Sequence, residues 1–262
     1  IAFLLMLPLF LLRREKYASG FRQRLGNYPQ FQHDDRKVIW LHCVSVGETN
    51  AARPLVDAIV SNFPDHRLVV STTTKTGQDL AQQIFAGKAA AVFYFPFDWK
   101  VSVRKALENY EPSIVLLMET EIWPRFIREA KLIGSKVVIV NGRLSERSSK
   151  RYALAGPLIK SVLCKVDLAL MQAENDAGRI ASLGLDRARM QTTGNLKFDL
   201  ELNGEDEAIT RDLDNRFKIS GHRPLIIAAS THDHEERWML EAFCSLAAGG
   251  STNPRLLIAP RH

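Results

Sequence analysis

Residues 41–55, LHCVSVGETNAARPL, hold the transition on which the reading of the fold turns. Ahead of them Val38-Ile39-Trp40-Leu41 is an apolar, β-prone run, and behind them Ala51, Ala52, Leu55, Ala58 and Ile59 recur at helical spacing. A strand that passes straight into a helix is the building step of an α/β domain. Gly47 reads as the residue that lets the backbone turn tightly there. Glu48, at or near the start of the helix, carries two readings. One is a capping carboxylate favoured by the helix dipole, which would leave the group exposed and strongly acidic. The other is a general base, which needs a cleft and a substrate hydroxyl within reach.

The same alternation continues outward. Strand-like runs fall at 38–43, 67–72, 91–95, 113–118, 136–140, 166–171 and 190–193, with helical patterns at 51–62, 76–86, 99–109, 123–132, 152–164 and 174–183. That rhythm predicts a parallel sheet covered on both faces. Acidic and polar residues in 201–220 interrupt it and read as a linker. The pattern then restarts with RPLIIAAS, HEERWMLEAFCSL and RLLIAP. A first domain over 36–200 and the opening of a second over 221–262 are therefore expected.

The 262 residues are 46% hydrophobic and 24% charged, which is a globular composition and not a disordered one. A net charge of +6 suggests an anionic partner without choosing among nucleic acid, acidic lipid and phosphorylated small molecules. No aromatic–basic motif supports nucleic acid. Cys43, Cys164 and Cys244 lack CxxC spacing and read as reduced, buried thiols. Both ends read as cut. IAFLLMLPLFLL opens the chain without a methionine and is followed by Arg13, Arg14, Lys16, Arg22 and Arg24. Charges behind the apolar run invert the order of a signal peptide and match a membrane anchor with the remainder in the cytoplasm. An ordinary buried helix is the alternative.

Active sites of α/β sheets lie at the carboxyl ends of the strands. Besides Glu48, that rule selects Glu119 and Glu121 in METEIWP, where strand alternation sends both carboxylates the same way unless the turn redirects one, and an ion pair with Arg143 or Arg147 of NGRLSERS is the competing explanation. It also selects Lys197 in TTGNLKFD, as either a solvated charge or an anion contact. In the second domain it selects ASTHDHEE, where Ser230 and Thr231 suit a helix cap, and Arg261 in APRH, whose planar fork suits phosphate. His232, His234 and Glu235 lack the spacing of a metal site, and no metal is expected. There is no GxGxxG, GxxxxGK[ST] or GxSxG motif.

Taken in order, HCVSVGE, METEIWP, NGRLSERS, TGNLKFD, ASTHDHEE and APRH resemble the 3-deoxy-D-manno-octulosonic acid (Kdo) transferases of lipopolysaccharide synthesis, as does YASGFRQRLGNYP nearer the start. The resemblance implies a GT-B glycosyltransferase of two Rossmann-like domains, the second truncated here, on the cytoplasmic face of the cell inner membrane. It implies transfer of Kdo from CMP-Kdo to a lipid A precursor by inverting direct displacement, without a cofactor. By similarity Glu48 is the proton acceptor, Glu119 and Lys197 stabilise the transition state, and Pro260 and Arg261 form part of the CMP site. Cys43 stands where many relatives carry serine. With most of the CMP-binding domain missing, these residues alone are expected not to catalyse transfer. The competing readings are another GT-B-like nucleotide-sugar enzyme and a non-catalytic membrane-associated α/β protein.

Overall fold

A computed structural model describes residues 19–199, 205–219, 223–248 and 253–261. The apolar segment expected to anchor the chain lies outside the described residues. Among the described residues no helix is long and apolar enough to cross a membrane. The chain divides into two compact units, 1–200 and 201–262.

In the first unit the order is α1 (Phe21–Arg24), β1 (Lys37–Cys43), α2 (Val46–Ala51), α3 (Arg53–Asn62), β2 (His66–Thr72), α4 (Lys75–Ile84), β3 (Ala91–Tyr94), α5 (Lys100–Tyr110), β4 (Pro112–Met118), α6 (Pro124–Leu132), β5 (Lys136–Gly142), α7 (Glu146–Ala153), α8 (Gly156–Leu163), β6 (Leu168–Met171), α9 (Glu174–Ser182) and β7 (Met190–Thr192). Short 3₁₀ turns follow at Arg187–Arg189 and Leu196–Asp199. All seven strands are parallel, in the order β3-β2-β1-β4-β5-β6-β7. The expected doubly covered parallel sheet is therefore present. Because strand alternation sends successive side chains to opposite faces, β1 divides its residues between two cores. Val38 and Trp40 pack with α5 and α6, whereas Ile39, Leu41 and Cys43 pack with α2, α3 and α4.

Two helices came out divided. The expected helix 51–62 is α2 plus α3, separated at Ala52, because Pro54 has no N–H to continue a helix and suits the first turn of a new one. Of the expected helix 152–164, residues 156–163 form α8, which opens with Pro157 in its first turn, and 152–153 are the end of α7, whose residues 146–151 were not read as helical. Gly47 lies inside α2 without a positive φ, and an added Cβ would meet only Ser45 Oγ at 3.8 Å, so the turn does not depend on it. A glycine is needed at Gly20, where φ is +70° and a Cβ would fall 1.9 Å from the Tyr94 ring.

That close approach seats α1 on the sheet and corrects the reading of Arg24. Arg24 is only 7% exposed, stacks over Tyr94 at 4.9 Å, and donates to the carbonyls of Ser19 and Thr73. Burial depresses its pKa. It is an internal strut and is not available to a membrane surface. The cysteines are also corrected in part: Cys43 is buried, but Cys164, at the end of α8, and Cys244, in the second unit, are exposed.

The second unit contains α10 (Glu205–Phe217), within the stretch read as a linker, then β8 (Leu225–Thr231), α11 (Glu235–Ala248) and β9 (Arg255–Pro260). β8 and β9 pair in parallel.

Trp40 is the keystone of the first core. It is fully buried, donates from Nε1 to Ser71 Oγ at 2.7 Å, and meets Phe93, Phe95, Tyr110 and Phe126 edge-on. Trp40→Ala is expected to destabilise the protein by about 3–5 kcal/mol in denaturant unfolding. A loss below about 1 kcal/mol would mean that the aromatic cluster does not hold this face together.

Candidate active site

The strand order places β1 beside β4, and the connections leaving these two strands go to opposite faces of the sheet. This is the topological switch point, the place where α/β sheets bind ligands beyond the carboxyl ends of their strands. Glu48 follows β1, and Glu119 and Glu121 follow β4. Parallel pairing thus brings together two motifs some seventy residues apart.

Glu48 is 6% exposed. Its Oε2 accepts from Val44 N–H at 2.8 Å and its Oε1 from the Ser45 hydroxyl at 3.0 Å, while Ser45 Oγ receives Glu48 N–H at 3.4 Å. Ser45 is the N-cap of α2, so this is a variant of the capping box in which the glutamate reaches one residue further back. The two sequence readings are therefore not exclusive. The carboxylate caps the helix and is also withdrawn from water. Burial raises its pKa from 4.5 to about 7; the Val44 and Ser45 hydrogen bonds oppose that rise, and the charges of Glu119 and Glu121 add to it.

Glu119 begins where the strand pattern fails. Its N–H still bonds Val140 O at 2.9 Å, but its φ is +54°. Strand alternation thus ends at Met118 and does not set the directions of Glu119 and Glu121. Burial, then the Glu119 charge, raises the pKa of Glu121, and the nearby Trp123 indole opposes this without reaching hydrogen-bond geometry. Thr120 is buried and donates to Arg143 O at 2.7 Å. Among the described residues no salt bridge joins Glu119 or Glu121 to Arg143 or Arg147. The Cys43 thiol, buried near Glu48, is pushed up and held neutral.

Lys197 is exposed in the 3₁₀ turn Leu196–Asp199. That turn packs on α2 and α3, so it shares a sheet face with the helix carrying Glu48. In the second unit, Pro260 closes β9 opposite Thr231, and Arg261 N–H bonds Thr231 O at 3.0 Å. The Arg261 guanidinium donates to His232 Nε2 at 3.3 Å. The cap of α11 differs from the expected one: Glu235 Oε2 accepts His232 N–H at 2.8 Å, and Thr231 Oγ1 is buried without a hydrogen-bond partner. Sequence reasoning missed His42 and Asn141. His42 is fully buried, stacks on Phe95 at 3.8 Å, and is driven by burial to a pKa of about 3. A polar residue among β-prone ones on the strand leading to Glu48 was the available signal.

The arrangement offers a carboxylate half-ionised near neutral pH beside two further carboxylates, with a lysine-bearing turn on the same face of the sheet. This suits proton removal from a hydroxyl where positive charge develops nearby.

Residues 19–200 match the family model described as 3-Deoxy-D-manno-octulosonic-acid transferase (kdotransferase). A 3-deoxy-D-manno-octulosonic acid transferase of Haemophilus influenzae is 32% identical over 99% of this chain and 60% of its own length. A bifunctional glycosyltransferase/methyltransferase of Fusobacterium nucleatum is 35% identical over 87% of this chain and 35% of its own. The chain thus spans between about a third and three fifths of these relatives. Among solved structures, a UDP-GlcNAc 2-epimerase from Neisseria meningitidis superposes with a TM-score of 0.60 at 13% identity, covering 85% of this chain and 64% of the other. At that identity the likeness is one of fold, and the fold is of GT-B type.

The Glu48 environment predicts a reversed pH effect on stability. A carboxyl whose pKa rises on folding binds more protons folded than unfolded between about pH 4.5 and 7, so stability falls as pH rises through that window. Glu48→Gln is expected to raise unfolding stability at pH 8, on the order of 2 kcal/mol, and to have little effect at pH 4. Equal effects at both pH values would place the carboxylate in water.

Proposed function

Because this chain belongs to the 3-deoxy-D-manno-octulosonic-acid transferase family, we propose that it forms the acceptor-side domain, and the beginning of the donor-side domain, of an enzyme that moves Kdo from CMP-Kdo to a lipid A precursor. The observation that carries this reading is the buried Glu48 carboxyl at the β1/β4 switch point, with its pKa raised to about 7 beside Glu119 and Glu121.

The chemistry follows from that environment. A sugar hydroxyl is a weak nucleophile until its proton is removed. A base with a pKa near the working pH is both substantially ionised and strong enough to remove it. Glu48 takes the proton of the acceptor hydroxyl as its oxygen bonds the anomeric carbon of Kdo. The bond from that carbon to the CMP phosphate breaks, and its electron pair leaves with CMP. Inversion follows, with no covalent intermediate and no cofactor.

Positive charge builds on the anomeric carbon and negative charge on the departing phosphate. Glu119 offsets the first, or orients a cation that does. Lys197 and Arg261 offset the second. Pro260 shapes the loop that carries Arg261. The capping hydrogen bonds hold Glu48 in one rotamer, so the base is positioned before substrate arrives. Action at the cytoplasmic face of the inner membrane is part of the proposal. It draws on the apolar run of 1–12 and the basic residues Arg13, Arg14, Lys16 and Arg22, without Arg24.

In the full-length protein Glu48→Gln is expected to lower kcat about 10²–10⁴-fold while the variant remains folded. The wild-type rate should rise with pH through an apparent pKa near 7, since the base must be ionised. Transfer of labelled Kdo at wild-type rate by Glu48→Gln would remove Glu48 as the base, whereas no transfer by the full-length wild type would favour a binding protein without catalysis.

A further inference from the structure

We propose that Asn141 is a positioning residue: it clips the Lys197 turn to the carboxyl end of β5 and so fixes where the lysine stands relative to the Glu48 helix. The inference rests on the functional reading above for the role of Lys197, but the clip itself rests on geometry.

Asn141 is 2% exposed and adopts a φ of +53°. Its Oδ1 accepts the Leu196 N–H at 3.1 Å. A backbone N–H is only a donor, so the amide has one permitted orientation, with Oδ1 toward Leu196 and Nδ2 away from it. Nδ2 is buried without a hydrogen-bond partner. The residue's carbonyl is occupied as well, receiving Gln172 Nε2 at 3.1 Å. These features pin Asn141 between β5 and the chain leaving β7.

That chain needs an anchor. The ladder of β7 ends with Thr193 N–H on Met171 O at 2.9 Å. Gly194 follows with a φ of +87° and open space around its Cα. From there the turn is held internally by Asn195, whose Oδ1 accepts Lys197 N–H at 3.1 Å and whose carbonyl accepts Phe198 N–H at 3.0 Å. Phe198 is 87% exposed and contributes little burial. Leu196 packs part of its side chain on the core shared with α2 and α3. Among the described residues, the Leu196–Asn141 bond is the hydrogen bond that ties residues 194–199 to the sheet. Leu196 is next to Lys197, so the clip acts one residue from the cation.

The variants exploit the backbone. Asn141→Gly keeps the left-handed conformation accessible and removes only the amide, so it avoids the strain of Asn141→Ala. Asn141→Asp keeps an oxygen acceptor facing Leu196. In the full-length protein, Asn141→Gly is expected to speed deuterium exchange at the Leu196 amide roughly five- to tenfold, as for one lost hydrogen bond. It should lower kcat for transfer from CMP-Kdo about tenfold, with KM values within about twofold. Asn141→Asp should restore Leu196 protection and most of kcat. Unchanged Leu196 exchange in Asn141→Gly overturns the clip. Faster exchange with unchanged kcat, where Lys197→Ala abolishes transfer, overturns the positioning role. Full activity in Lys197→Ala would overturn the functional reading of that lysine and with it the effect on turnover, while Leu196 exchange would still decide the clip.

Discussion

A carboxylate withdrawn from water at the amino end of a helix is the constraint to which the rest of the first unit is fitted. Dehydration disfavours the charged form of Glu48, and the helix dipole, Val44 N–H and the Ser45 hydroxyl favour it. Dehydration wins, since the pKa rises to about 7. The cap limits how far it rises. Without those donors, a carboxyl so buried beside Glu119 and Glu121 would be held neutral at physiological pH and could not accept a proton. The local motif SVGE and the distant motif METE therefore act on one property, the basicity of a single side chain. The sheet order makes this possible, because β4 returns to lie beside β1 instead of extending the far edge.

Much of this was legible in the residues, for identifiable reasons. Runs such as VIWLHC and SIVLLM are buried on both faces, so they needed no alternation to be read as strands. The rule that sites gather at strand ends then selected Glu48, Glu119, Glu121 and Lys197 without coordinates. What sequence could not supply was burial. Arg24 reads as one more cation in a basic segment, yet Gly20 lets α1 approach Tyr94 and encloses it. Cys164 and Cys244 read as core thiols, yet both are exposed. Asn141 was hidden because its partner, Leu196, is 55 residues away, and a hydrogen bond from a side chain to a remote amide leaves no local pattern.

The two units differ in what they bring. The first holds the carboxylates and the Lys197 turn. The second presents, at the ends of β8 and β9, a guanidinium steadied by a histidine that must accept from it. The remaining N–H groups of the Arg261 guanidinium keep the fork geometry that the proposed phosphate contact would use.

Three strands, two in the first unit and one in the second, end by the same device. Glu119, Asn141 and Ser230 each have a positive φ without being glycine, at +54°, +53° and +60°. At two of them the ladder slips: β5 and β6 lose register between Ile139 and Gly142, and β8 and β9 between Ala229 and Thr231. A left-handed residue with a side chain costs about 1 kcal/mol or more, and such strain persists only where surrounding contacts overdetermine it. Those contacts are present at each site, in Glu119 N–H on Val140 O, Leu196 N–H on Asn141 Oδ1, and Arg261 N–H on Thr231 O. The strain removes the side chain from the pleat, where alternation would have buried it in one of the two cores or set it flat against the sheet. A strand end that must direct a polar group into a crevice has few other ways to do so, because glycine would free the backbone but carry no functional group. Of the six non-glycine residues with positive φ among the described residues, these three fall at or next to the carboxyl ends of strands, and two of them, Glu119 and Asn141, belong to the strand ends around which the proposed chemistry is organised.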